Sequence, residues 1–122
     1  MKGKPMTEIL NARIKSTKLG IQEGLFTAWL SFEGRSWGCV FGGISFDRYC
    51  PYKDEREPVA IGAKWIAAVL KTLGVNLWED LDGKYCRVEI DSEGNIKRIG
   101  HIIEDQWFDQ TSLLINQLQK TP

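Results

Sequence analysis

Phe32-Glu-Gly-Arg-Ser-Trp-Gly-Cys-Val-Phe-Gly-Gly-Ile-Ser-Phe-Asp47 packs four glycines and four large aromatics into sixteen residues. Strand glycines mark bulges, bends or a close approach by other groups. Trp37 to Phe46 therefore reads as a strand, with Gly42-Gly43 as its bulge or bend. In the preceding run, Leu25 to Phe32, residues Phe26, Ala28, Leu30 and Phe32 point to one face. Leu25, Thr27, Trp29 and Ser31 point to the other. Leu10 to Leu19 reads as an earlier strand, with Leu10, Ala12, Ile14 and Ser16 in one row. Glu-Gly pairs at 23–24, 33–34 and 93–94 supply hairpin turns, because glycine takes positive φ without a Cβ clash. The first three strands thus form an antiparallel meander.

Residues 47–58 read as a charged connection broken by Pro51 and Pro58, neither strand nor helix. Val59 to Leu73 reads as a helix stopped by Gly74. Lys64 and Lys71 mark its narrow solvent stripe, so the helix is expected to be covered on more than one side. Asn76-Leu-Trp-Glu79 matches a capping box. Tyr85 to Asp91 and Ile96 to Ile103 form a later hairpin around Ser92-Glu-Gly-Asn95. Asp109 to Gln119 reads as a short C-terminal helix carrying Leu113, Leu114 and Leu118 on one side. The predicted fold is a single α+β domain over residues 1–122: an antiparallel sheet of about five strands, one buried helix and that terminal helix.

A chain of 122 residues buries roughly two-thirds of its unfolded surface as one domain. Its 16 basic and 16 acidic residues cancel, which argues against a duplex nucleic-acid binder, whose affinity comes mainly from neutralising phosphates. Cys39, Cys50 and Cys86 are odd in number and lack C-x-x-C spacing, so neither a disulfide scaffold nor a zinc site follows. No apolar segment of signal-peptide length follows Met1 to Met6, and no run is long enough to span a membrane. A cytoplasmic location is expected.

Four segments carry a resemblance: Asn11-Ala-Arg-Ile-Lys-Ser-Thr17, Trp37-Gly-Cys-Val-Phe-Gly-Gly43, Leu73-Gly-Val-Asn-Leu-Trp-Glu-Asp-Leu-Asp-Gly-Lys84 and Ile99-Gly-His-Ile-Ile-Glu-Asp-Gln-Trp-Phe108. Together they resemble a family of small hypothetical proteins of phages and prophages. Family members tend to carry Asp-His-Gly where this chain has Gln22-Glu23-Gly24. The resemblance therefore transfers no role for that histidine. It implies a phage-encoded accessory protein, a class that often acts by binding a host component, counter-defence included.

His101 is the single histidine, so any imidazole base must be this residue. Pairing with Cys39 or Cys86 would make a thiol nucleophile, but no signature joins them, and a strand histidine is more simply a core residue. Asp80-Leu-Asp82-Gly83 lacks the further oxygen ligands of a calcium loop, and Glu79 and Asp82 fit capping and turn roles. Gly42-Gly43 matches no phosphate-binding fingerprint and reads as a bulge admitting Trp65 or another helix residue. Trp29, Trp37, Trp65, Trp78 and Trp107 are many for this length. Trp65 is expected in the core. Trp29 points away from Phe26, Leu30 and Phe32, so both faces of the N-terminal ribbon are apolar, and the second needs cover.

These features predict a non-enzymatic binding protein without metal or cofactor, acting as a homo-oligomer on a host protein or a small nucleotide-like ligand. The expected contact residues are Trp29, Arg35, Trp37, Phe41, Gly42, Gly43 and Arg48, with Tyr49 and Tyr52 as a rim. The alternatives are a small hydrolase or transferase built on His101 with a cysteine or carboxylate, and a purely structural assembly protein.

Overall fold

The computed structural model describes residues 6–119, with side chains through residue 115. The main sheet has six antiparallel strands rather than five. They are β1 (Thr7–Gln22), β2 (Leu25–Gly34), β3 (Trp37–Gly42), β6 (Tyr85–Asp91), β7 (Ile96–Gly100) and β8 (Trp107–Phe108), in the order β3-β2-β1-β6-β7-β8. β4 (Asp47–Cys50) and β5 (Glu55–Pro58) form a second, two-stranded sheet. Helix α1 (Ala60–Leu73) and helix α2 (Thr111–Gln119) complete the α+β fold, with a 3₁₀ turn at Trp78–Leu81.

β1 is the spine. Residues 13–22 pair with β2 and residues 7–13 with β6, so Arg13 faces Glu33 on one side and Tyr85 on the other. A bulge between Ile14 and Ser16 shifts the alternation. Before it, Ala12 and Ile14 are buried in the core; after it, Thr17, Leu19 and Ile21 stand opposite the core-side row Leu30, Ala28 and Phe26. Ser16, expected in the row of Ile14, is turned to the other face.

The sheet rolls around α1. β3 and β8 are its two edge strands, yet the rings of Phe41 and Phe108 lie 5.9 Å apart. Both pack on Trp65 of α1, at 6.0 and 6.4 Å. Trp65 is fully buried, and its indole N–H donates to Gln110 Oε1 at 2.8 Å, which satisfies the one polar group a buried tryptophan brings. Gly62 lets α1 approach Phe46, since a Cβ there would sit 2.8 Å from the Phe46 side chain. Gly74 ends the helix at φ +75°, its amide donating to the Leu70 and Lys71 carbonyls.

Several local expectations are corrected. α1 packs against β7, β8 and α2, but its solvent stripe is wider than Lys64 and Lys71 alone: Ala60, Ala63 and Ala67 are exposed with them, because alanine spacing is silent in a hydrophobic pattern. The capping box does not form, as the 3₁₀ turn starts after Leu77 with no side-chain cap. Residues 47–58 are a hairpin rather than an irregular loop. Asp47 anchors it, accepting from the Phe26 amide at 3.1 Å, the Ser45 hydroxyl at 2.9 Å and Arg56 Nε at 3.0 Å. The turn expected at Glu33-Gly34 falls at Arg35-Ser36, since Gly34 pairs with Trp37 inside the sheet. The last expected strand stops at Gly100. Leu113 is half-buried and Leu114 exposed, and the Leu118 side chain lies outside the described residues.

Candidate functional site

The space over Gly34, Gly43 and Gly100 is filled by tryptophans of the sheet, not by a residue of helix α1. A Cβ built on Gly43 would lie 2.4 Å from the Trp29 ring, on Gly34 2.1 Å from Trp37, and on Gly100 2.5 Å from Trp107. Each glycine is the seat of an indole laid across a neighbouring strand. Gly42 serves the backbone instead: at φ +119° a Cβ would strike the Ala28 carbonyl at 2.4 Å. Gly43 is also at positive φ, and its amide donates to that same carbonyl at 2.8 Å. The chain thereby turns out of β3 toward the β4–β5 hairpin.

The expected contact residues fall into separate places. Phe41 is corrected outright: it is 3% exposed, stacked on Trp65, and cannot touch a partner. Trp37 is half-buried on the core side of the sheet, packed on Gly34, whereas Trp29 is half-buried on the outer side. Arg35 lies at the β2–β3 turn, beside a depression of about 320 Å³ bordered by Asn11, Arg13, Glu33 and Tyr85. Arg13 is ion-paired with Glu33. Arg48, Tyr49 and Tyr52 are exposed on the β4–β5 hairpin, anchored at Phe26, the other end of β2. The Tyr49 hydroxyl donates to Asp54, and Tyr52 is 97% exposed. The ten residues of β2 span about 30 Å, with Arg35 beyond one end and the hairpin's anchor at Phe26 near the other.

Residues outside the expected set complete the picture. Cross-strand pairing puts Lys18 opposite Trp29 and Gln22 opposite Leu25, because the Glu23-Gly24 turn has both residues at positive φ. Lys18, Gln22, Trp29, Ser31 and Val40 line a shallow hollow of about 250 Å³ on the outer face. Gln22, Glu23, Leu25, Thr27, Trp29 and Gly43 line another of about 190 Å³. On the core side, Leu19 is 44% and Ile21 is 72% exposed, beyond the reach of the packed helix. Trp78 covers the ribbon only as far as Thr17, its indole N–H donating to Thr17 Oγ1 at 3.1 Å.

His101 serves the backbone. Its Nδ1 accepts from the amides of Ile103 at 3.0 Å and Glu104 at 2.9 Å, and its Nε2 side rests near Gly74. Among the described residues no hydrogen bond joins it to a thiol or carboxylate. Burial pushes the Cys86 thiol up to about 12, aided by neighbouring Cys39, and burial also raises Cys39. These two thiols are poor nucleophiles near neutral pH. No group of three His, Cys, Asp or Glu side chains among the described residues is placed to hold a metal. No helix among them is long and apolar enough to cross a membrane.

Comparison with models of known families, with curated proteins and with solved structures found no match to this chain.

Proposed function

We propose that this chain is a non-enzymatic binding protein, a phage-type accessory factor that docks a protein surface through the core side of its β1–β2 ribbon. The observation that carries the reading is the exposure of Leu19 and Ile21 on the side of the sheet that elsewhere packs α1. An apolar row that continues past its own core is costly in water and is stabilised when another chain covers it. Self-association through this ribbon and docking of a host protein both fit the same exposed row. The resemblance to phage proteins supports a role inside an infected host cell, counter-defence being one form. The engaged Nδ1 of His101 and the raised thiols of Cys39 and Cys86 speak against the hydrolase alternative.

Affinity capture from host extract with the wild type and with Ile21→Asp tests this. Residue 21 is exposed enough that the charge leaves the fold intact. Proteins retained by the wild type and lost with Ile21→Asp are the expected result; identical retention by both contradicts the reading.

A further inference from the structure

Two tryptophans lie on the outer face of the sheet in the same way, and the difference between them is informative. Trp107 sits on Gly100 and is capped by Arg98 and Arg87, whose guanidinium carbons lie 4.2 and 4.8 Å from the ring centroid. The polar groups around it are engaged with one another. Arg98 pairs with Glu89, Thr7 donates to Glu89, and Arg87 donates to the carbonyls of His101 and Glu104. Trp107 is thus a closed unit.

Trp29 sits on Gly43, yet among the described residues no guanidinium or second ring lies over it. Around it Lys18, Gln22 and Ser31 make no side-chain hydrogen bond or ion pair among the described residues. An indole seated on a glycine is already ordered and has little freedom left to lose, so a flat ring stacking on it pays a small ordering cost. Lys18 stands directly across the strand pair and disfavours a cation on the ring. Glu23 borders the opposite hollow, which directs any anionic group to the Lys18 side.

We propose that Trp29 on its Gly43 seat is a stacking platform for a small planar ring bearing an anionic group, a nucleotide-like molecule, with Lys18 taking the anion and Gln22 and Ser31 the ring edge. This site is on the opposite face of the ribbon from Leu19 and Ile21 and stands independently of the docking reading.

The test follows the Trp29 indole N–H by NMR, assigned by its disappearance in Trp29→Phe, while adenosine monophosphate, adenosine or inorganic phosphate is added to the full chain. The expected result is a saturable shift with the nucleotide, several-fold weaker binding of adenosine, and no shift of this signal with phosphate. By isothermal titration calorimetry, because the signal is lost with the ring, Trp29→Ala is expected to weaken nucleotide binding by about tenfold or more, the scale of one base stacked on an aromatic side chain. Lys18→Glu, a surface change that spares the fold, is expected to weaken the nucleotide about fivefold and leave adenosine unchanged, as loss of one exposed ion pair dictates. Absence of a saturable shift at millimolar nucleotide, or equal affinity in wild type and Lys18→Glu, overturns the proposal.

Discussion

The indole of Trp29 lies so close over Gly43 that a methyl group on that glycine would come within 2.4 Å of the ring, and Gly43 itself holds φ +79°. Two constraints therefore meet at one residue: the ring needs the space and the backbone needs the freedom.

Gly43→Ala is expected to destabilise the protein by about 2–4 kcal/mol, combining left-handed strain with overpacking. In a Trp29→Ala background the clash is gone and only the backbone strain remains, so the cost should fall to about 1–2 kcal/mol. Urea melts of the four proteins in this double-mutant cycle check both values.

His101 acts as a turn residue in this structure, accepting two amides as an Asn or Asp side chain does. His101→Ala is expected to cost about 1–2 kcal/mol, and His101→Asn to recover most of it, because Oδ1 can take the same amides. Thermal melts distinguish this from a chemical role, which Asn would not restore.

The carboxyl of Asp47 is affected first by its burial, which alone would raise its pKa. Hydrogen bonds from Ser45, Arg56 and the Phe26 amide, together with the Arg56 charge, outweigh that and hold it below the usual aspartate range. A group lowered on folding stabilises the folded state fully above its unfolded value, about 3.9, and that contribution is lost as pH falls through the folded value. Asp47→Asn is expected to melt earlier than wild type at pH 7, with the gap closing toward pH 3. Parallel melting curves at both pH values would contradict the assignment.

Cys86 is buried and its thiol is pushed up to about 12. In the native protein it is expected to react with a disulfide reagent at pH 8 only as fast as the fold opens, whereas in denaturant all three cysteines react at once. Mass spectrometry of the modified peptides at early times checks the order.

The strands, α1 and its Gly74 stop were legible because alternation and a glycine cap are local signals. The bulge at Ile14/Ser16 was not, since nothing in Ile14-Lys-Ser16 announces an extra residue, and it moves Leu19 and Ile21 to the core side. The β4–β5 hairpin was hidden because its anchor is Asp47 on the distant Phe26 amide, a contact that charge and proline content cannot reveal. The glycine and aromatic density in residues 32–47 pointed correctly to close approach, but the partners are tryptophans of neighbouring strands, set by register rather than composition. Lys18 opposite Trp29 was within reach of the sequence: a two-residue turn at Glu23-Gly24 makes paired positions add to a constant. Phe41 was misplaced because a rolled sheet brings β3 against β8, which no alternation pattern records.

The interface proposed for this chain is the Leu19 and Ile21 side of the ribbon. Light scattering on the purified chain measures it most directly. The wild type is expected to show a mass in solution above the 13.9 kDa of one chain, and a return to 13.9 kDa on Ile21→Asp with the melting temperature unchanged. A mass that Ile21→Asp leaves where it was, with no captured protein lost, would contradict it.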